Sequence, residues 1–280
     1  MGQYLIQKPI SKPSGAGMAT ISSSKWRQDI VEIGRRVYSR GFVAANDGNL
    51  SIRISESRLL ITPAGVSKGF LSPQDIILCD MSGKKVEGSS EPSSEIRLHL
   101  EVYRQRADIF GVVHAHPPYA TSFAVAGVPL TECILPEVVI SIGRIPLAPY
   151  ATPSTEGLAQ SVAPMLPRHN AMLLANHGAL TVGTDLYQAY YLLERVEHLA
   201  KISLLARQLG GARPLTQKDL AELAHLHPNM EDADLAESRC ANCGVCGKPM
   251  SPANAEQSSP VNSEIVTQVT EEVVRRLNSS

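Results

Sequence analysis

The densest chemistry in the sequence is Val112-Val113-His114-Ala115-His116, an apolar run that ends in two histidines one residue apart. Side chains alternate faces along a strand. His114 and His116 therefore point to one side, with Phe110 and Val112 beneath them, close enough to share a metal ion. A third histidine, His177, follows another apolar stretch in the turn Asn176-His177-Gly178, and Glu95 opens a helix after Pro92-Ser93-Ser94. A His-x-His pair, a lone histidine and a carboxylate suit zinc or a similar dication. Taken singly, the pair reads equally well as two polar residues at a strand end. Glu95 alone reads as a first-turn acid that complements the helix dipole.

A second group of residue types suits an anion. Gly48-Asn49 and Gly65 lie in turns, and Ser93-Ser94 sit at a helix N-terminus. Together they offer backbone N–H groups, an amide and hydroxyls without bulk. Each is also an ordinary turn or cap on its own.

The elements that must hold these residues follow from hydrophobic spacing. Residues 1–24 are rich in Ser, Pro and Gly without an apolar period and read as a flexible leader. From Trp26, Ile30, Ile33 and Val37 recur at helical spacing and stop at Gly41. After the turn signal Asn46-Asp47-Gly48-Asn49, the alternation Leu50, Ile52, Ile54 and then Leu59-Leu60-Ile61 predicts two strands of a hairpin, and Ile76-Ile77-Leu78 continues the sheet. A helix from Glu95 to about Arg106 should bury Ile96, Leu100 and Tyr103. Strands are expected at 109–116, 171–174 and 179–182. A long helix follows, capped by Thr184, burying Leu186, Tyr190, Leu193, Val196, Ala200 and Leu204, and ending at Gly210-Gly211. Strands and helices without a regular βαβ repeat point to an α/β fold, a sheet with helices packed on it, over residues 25–227.

Composition narrows the function classes. The 280 residues carry 26 basic and 27 acidic side chains, a net charge of −1, and only 5% aromatics. A nucleic-acid partner would need a basic footprint or stacking rings, and neither is present. No stretch approaches the roughly 18 apolar residues of a membrane span. The leader lacks the apolar centre of a secretory signal, so a cytoplasmic location is expected. Five cysteines, three of them crowded at Cys240, Cys243 and Cys246, do not make a disulfide framework.

Taken in order, several blocks resemble the class II aldolase/adducin family. They are Gly41 with Asn46-Asp47-Gly48-Asn49-Leu50-Ser51, Ile61-Thr62-Pro63-Ala64-Gly65, Glu91-Pro92-Ser93-Ser94-Glu95, Val113-His114-Ala115-His116 and Ala175-Asn176-His177-Gly178. The resemblance runs from about Ser24 to about Leu209. It implies a mixed, mainly antiparallel sheet flanked by helices, and a homotetramer with sites between subunits. It further implies one Zn2+ per subunit held by His114, His116 and His177, with Glu95 as metal neighbour and catalytic acid/base. Gly48, Asn49, Ala64, Gly65, Ser93 and Ser94 match the family's phosphate-binding segments. Ala64 replaces a threonine of the fuculose phosphate aldolase pattern and leaves only its backbone to make a contact.

The reaction the resemblance implies is cleavage of a deoxyketose 1-phosphate, with L-fuculose 1-phosphate expected to give dihydroxyacetone phosphate and lactaldehyde. A bound dication stabilises the enediolate left by such cleavage, so no lysine Schiff base is required. Rhamnulose phosphate aldolase and pentulose phosphate 4-epimerase are the enzyme alternatives, and an adducin-like interaction module is the non-enzymatic one. Cys133 aligns where the aldolase pattern has a tyrosine, contributed by a neighbouring subunit, that handles the proton on the aldehyde oxygen. Tyr119 and Tyr150 lie nearby in sequence as other rings, and Glu137 as a residue of the pocket rim.

Residues 228–260 read as a linker rich in Pro, Ser, Asn and Ala around the cysteine cluster. Cys240-x-x-Cys243-x-x-Cys246 has the spacing of a metal or iron–sulfur loop but lacks a fourth ligand nearby, and an oxidisable linker is the equal alternative. Residues 261–280 place Ile265, Val266, Val269, Val273 and Leu277 on one helical face. This tail resembles the encapsulation peptides that carry enzymes into bacterial microcompartments, which implies a shell protein as partner. A coiled-coil oligomerisation helix is the other reading, although three turns are marginal alone.

Overall fold

The computed structural model describes residues 23–226. The sequence read as a leader up to residue 22, the segment read as a linker with its cysteine cluster and the segment read as a terminal amphipathic helix lie outside the described residues.

Eight strands form one sheet: β1 (Asn49–Ser55), β2 (Arg58–Ile61), β3 (Ile77–Asp80), β4 (Lys85–Glu87), β5 (Gly111–Ala115), β6 (Leu147–Ala148), β7 (Ala171–Leu174) and β8 (Gly178–Gly183). Their order is β4-β3-β2-β1-β5-β8-β7-β6. Every neighbouring pair is antiparallel except β6 with β7. This is the mixed, mainly antiparallel sheet expected, and helices cover both its faces. On one face lie α1 (Ser23–Ser39), α3 (Pro118–Val125), α4 (Pro136–Ser141) and α6 (Leu186–Gln208); on the other, α2 (Ile96–Gln105) and α5 (Glu156–Val162). A last helix, α7 (Gln217–Leu226), packs beside α4.

Strand alternation divides the core between these faces. Val113 and Ala115 of β5 join the cluster under α1, α3 and α6. Val112 joins the cluster under α2 and α5, so His114, two residues on, points to the α2 side. The register carries this across the sheet, because Asn49 pairs directly with His114 and Ser51 with Val112. Directly opposed residues share a face, which puts Asn49 and Ser51 under α2 as well.

The structure corrects the sequence reading in several places. Helix α1 starts at Ser23 rather than Trp26, and the strand read as 109–116 spans Gly111–Ala115. Phe110 therefore precedes the strand, where the Arg53 guanidinium lies 4.9 Å from its ring centre. Ile96 is only partly buried, whereas Leu98, His99, Leu100, Val102 and Tyr103 make the inner face of α2. A periodicity count over apolar residues passes over His99 because it scores as polar. Asp185, not Thr184, caps α6: its carboxylate accepts the Gln188 N–H at 2.8 Å, while Gln188 Oε1 accepts from the Thr184 N–H and hydroxyl. The short elements α3, α4, α5, β4 and β6 lack a period long enough to read from sequence, and α7 is not among the elements read there.

Lys68 ties together two loops at the site end of the sheet. It is 2% exposed, and its Nζ donates to the carbonyls of Asn46 (2.8 Å) and Val66 (2.7 Å). Burial lowers its pKa from 10.5 to about 8, against a smaller opposite effect of Asp47. The folded chain then binds fewer protons at Lys68 than the unfolded chain between pH 8 and 10.5, so this residue makes stability rise with pH in that window. Urea titrations should show wild type gaining roughly 1–3 kcal/mol from pH 8 to 10.5 relative to Lys68→Met. Parallel curves for the two proteins would contradict this.

Candidate metal centre

His114 and His116 come from the end of β5, His177 from the turn between β7 and β8, and Glu95 from the N-cap of α2. Two backbone features bring them together. Asn176 adopts φ +57° and turns the chain sharply before Gly178. A Cβ on Gly178 would lie 2.5 Å from the Ala115 carbonyl oxygen and 2.6 Å from His116 Cδ2, so only glycine lets β8 close against the histidine strand. On the opposite side, Gly48 has φ +70°, and a Cβ there would meet Val43 Cγ1 at 2.7 Å and the His114 carbonyl oxygen at 2.8 Å.

The three imidazoles present ligand atoms within 4.8 Å of one another. His114 Nε2 lies 3.2 Å from both His116 Nε2 and Glu95 Oε2, and His177 Nε2 lies 3.4 Å from Glu95 Oε1. Ligands about 2.0–2.2 Å from a tetrahedral ion sit about 3.3–3.5 Å apart, so this spacing fits a dication. The orientation of the rings fits too. His114 Nδ1 donates to the Ala179 carbonyl at 2.9 Å, which turns Nε2 toward Glu95 and the other rings, and Asp47 Oδ2 stands 3.6 Å from His116 Nδ1. Glu95 Oε1 and His177 Nδ1 are buried without a hydrogen-bond partner among the described residues. An uncompensated carboxylate oxygen beside three imidazoles is costly to bury unless a cation or a substrate group completes it.

The electrostatics agree. Burial pushes the Glu95 carboxyl up, but the His114 charge and hydrogen bond, the Asn49 hydrogen bond and His177 outweigh it and hold the group well below the usual carboxylate range. Burial pulls His114 down, and Glu95 more than reverses this. His116 and His177 are each lowered to about 4, first by burial and then by the positive His114. Two of the three rings are therefore neutral ligands at ordinary pH.

The anion-binding candidates fall into two places. Gly48 and Asn49 border the histidines, but the Asn49 carboxamide is committed: Nδ2 donates to Glu95 Oε2 at 2.9 Å, and Oδ1 is 2.5 Å from His99 Nε2. The segments 62–65 and 91–94 run side by side, with a bridge between Pro63 and Pro92. Here the Ala64 N–H is spent on the Glu91 carbonyl, the Ser93 N–H on the Thr62 carbonyl, and Ser93 Oγ accepts the Glu95 N–H at 3.3 Å. Gly65 has open space where a Cβ would stand, and exposed Ser94 takes a hydrogen bond from Ser154. Cys133 is buried, Tyr119 half-buried against Lys201, and Tyr150 is 61% exposed. Glu137 is exposed in the first turn of α4. Sequence reasoning missed Asp47 and His99. The signal for His99 was its place four residues from Glu95 and from Tyr103, on one face of α2.

Gly178→Ala should lower stability by about 1–3 kcal/mol, since the added methyl presses on backbone and on a ligand ring. The divalent metal it retains after metal loading and dialysis should fall with it. Calorimetry and metal analysis check both, and a variant that melts and binds metal like wild type would contradict the close-approach argument.

A family model described as the Class II Aldolase and Adducin N-terminal domain matches residues 28–204. The chain is 32% identical over 217 residues to a 3-oxo-tetronate 4-phosphate decarboxylase of Pectobacterium atrosepticum, covering 75% of this chain and 98% of that one. It is also 32% identical over 201 residues to a 5-deoxy-D-ribulose 1-phosphate aldolase of Bacillus thuringiensis, covering 71% and 94%. Among solved structures, an L-fuculose 1-phosphate aldolase superposes with a TM-score of 0.68 at 32% identity, covering 73% of this chain and 97% of that one. With the fold, the matched span and the histidine cluster in agreement, the chain belongs to the class II aldolase and adducin N-terminal domain family, as an enzyme with a metal-binding cluster at the strand ends of its sheet.

Proposed function

We propose that the protein is a zinc-dependent, homotetrameric aldolase that cleaves a deoxyketose 1-phosphate, L-fuculose 1-phosphate, to dihydroxyacetone phosphate and lactaldehyde. The observation that carries this reading is the cluster of three imidazoles, two of them with Nε2 against a buried carboxylate that has one oxygen without a hydrogen-bond partner among the described residues. A dication held by His114, His116 and His177 supplies Lewis-acid stabilisation of the negative charge that develops on the substrate oxygens. In cleavage the C4 hydroxyl passes its proton to the ionised Glu95 carboxylate, directly or through water, as the C3–C4 bond breaks and the aldehyde forms, and the electron pair enters an enediolate over C2 and C3. Glu95 then returns that proton to C3. On this reading the segments holding Gly48 and Asn49, Ala64 and Gly65, and Ser93 and Ser94 supply backbone and hydroxyl groups for the phosphate.

One observation favours a second reading. Cys133 is 3% exposed and stands where the aldolase pattern has the tyrosine that handles the C4 hydroxyl proton. A 3-oxo-tetronate 4-phosphate loses CO2 from a carbon that carries no such proton, and the enediolate left behind is the one that dihydroxyacetone phosphate would give. A decarboxylase therefore needs no group in that place, and the relative from Pectobacterium atrosepticum carries that name.

The discriminating assay offers both substrates to zinc-loaded protein and follows dihydroxyacetone phosphate, aldehyde and CO2. Aldehyde in step with dihydroxyacetone phosphate supports the aldolase, and CO2 in its place supports the decarboxylase. His114→Ala or chelation should lower either rate roughly a thousandfold, the equivalent of several kcal/mol of lost charge stabilisation. Turnover unaffected by both treatments would sink the metal-dependent reading.

We further propose that residues 261–280 dock the enzyme to a microcompartment shell protein, in keeping with their apolar helical face. Deleting them should abolish co-purification with shells while leaving the specific activity intact. Equal recovery of the truncated and full chains inside shells would refute this role.

A further inference from the structure

Helix α2 and strand β1 meet through polar side chains. Glu95, His99 and Tyr103 stand four residues apart on α2, about 6 Å of rise per step. Asn49, Ser51 and Arg53 stand two apart on β1, about 6.6–6.8 Å per step. The two steps nearly match, so the side chains interleave. Asn49 Nδ2 reaches Glu95 Oε2 at 2.9 Å, and Asn49 Oδ1 meets His99 Nε2 at 2.5 Å. Next, His99 Nδ1 meets Ser51 Oγ at 2.6 Å, Ser51 Oγ meets the Tyr103 hydroxyl at 2.7 Å, and Arg53 closes the ladder on the Tyr103 carbonyl at 3.0 Å. All of these residues are buried, His99 and Ser51 completely.

The donors along this ladder can run in one direction only. A carboxylate accepts and does not donate, so Asn49 must turn its NH2 to Glu95 and its oxygen to His99. His99 Nε2 must then carry the proton. Burial first, and the neighbouring His114 second, hold the His99 ring at a pKa of about 3, so the neutral ring has a lone pair at Nδ1. Ser51 donates to that lone pair, and Tyr103 donates to Ser51. Turning Asn49 over would set oxygen against oxygen at Glu95 and N–H against N–H at His99. The ladder ends on Oε2 and leaves Oε1 as the unbonded oxygen, 3.4 Å from His177 Nε2.

We propose that His99 is a positioning residue: through Asn49 it fixes the rotation of the Glu95 carboxylate, tying down Oε2 and presenting Oε1 to the metal and substrate side. This rests on the role given to Glu95 above. His99 touches none of the three histidines by hydrogen bond and acts only through Asn49, so its removal leaves the ligand set intact. Partners outside the ligand shell typically change metal affinity 10–100-fold when lost.

The test compares full-length wild type with His99→Phe, His99→Gln and, as a packing control, Val102→Ala on the same helix. Nitrogen-15 spectra of histidine-labelled, metal-free wild type should show the His99 proton on Nε2, and a proton on Nδ1 would overturn the proposal. In chelator competition, His99→Phe should bind zinc roughly 10–100-fold more weakly. His99→Gln, whose amide again donates to Asn49, should recover most of that loss. Val102→Ala should lower the melting temperature and leave zinc affinity unchanged. Wild-type affinity in His99→Phe, no recovery in His99→Gln, or a loss in Val102→Ala equal to that in His99→Phe would each overturn it. Should His99→Phe fail to fold, the tautomer and the glutamine variant still decide. None of these readouts uses a substrate, so a failure of the proposed reaction and a failure of this inference are separately visible.

Discussion

A carboxylate taken out of water and set against three imidazoles is the constraint on which the rest of this structure depends. Glu95 is 8% exposed, and its charge is balanced by the protonated His114 at 3.2 Å rather than by solvent, with the neutral His177 ring at 3.4 Å. Such a group raises the free energy of the fold unless its neighbours are held in place. Holding them takes three separate parts of the chain: the end of β5, the turn between β7 and β8, and the first turn of α2. The strand order β1-β5-β8 puts two of these side by side, and the packing of α2 over β1 brings in the third.

Backbone geometry sets how closely these parts approach. Gly178 and Gly48 flank the histidine strand where a methyl group would collide with main-chain oxygens of Ala115 and His114. The buried polar ladder beneath Glu95 adds a second kind of restraint. Its members satisfy one another in a single donor direction, and such chains polarise each other in a low dielectric. An apolar contact between α2 and β1 would have packed as well without setting the rotation of any side chain. The ladder makes the helix position specific to within one side-chain register.

On the reading proposed above, the site serves an enediolate. Aldol cleavage of a ketose 1-phosphate and decarboxylation of a 3-oxo acid 4-phosphate reach that species by expelling different groups, an aldehyde or CO2. On that reading the histidines and Glu95 serve both, since they would act on the oxygens and the carbon common to the two routes. What separates them, on that reading, is the handling of the leaving group. One fold can accommodate several reactions because function resides in the groups of the site rather than in the fold.

The sequence by itself determined the parts that repeat or alternate. Apolar spacing placed α1, α2, β1, β2, β5, β7, β8 and α6 within a few residues, because burial on one face imposes a period that any single segment displays. His114 and His116 were legible as a pair for the same reason, since their common face follows from strand geometry alone. The convergence of His177 and Glu95 on that pair rested on family blocks, because nothing in the spacing of residues 95, 114 and 177 encodes a distance. Tertiary structure alone decided the rest. The cross-strand register of Asn49 with His114 drew Asn49 to Glu95, and the matched steps of α2 and β1 made His99 a buried hydrogen-bonding residue. These are relations between segments, set when two surfaces dock, and a periodicity read along one segment does not contain them.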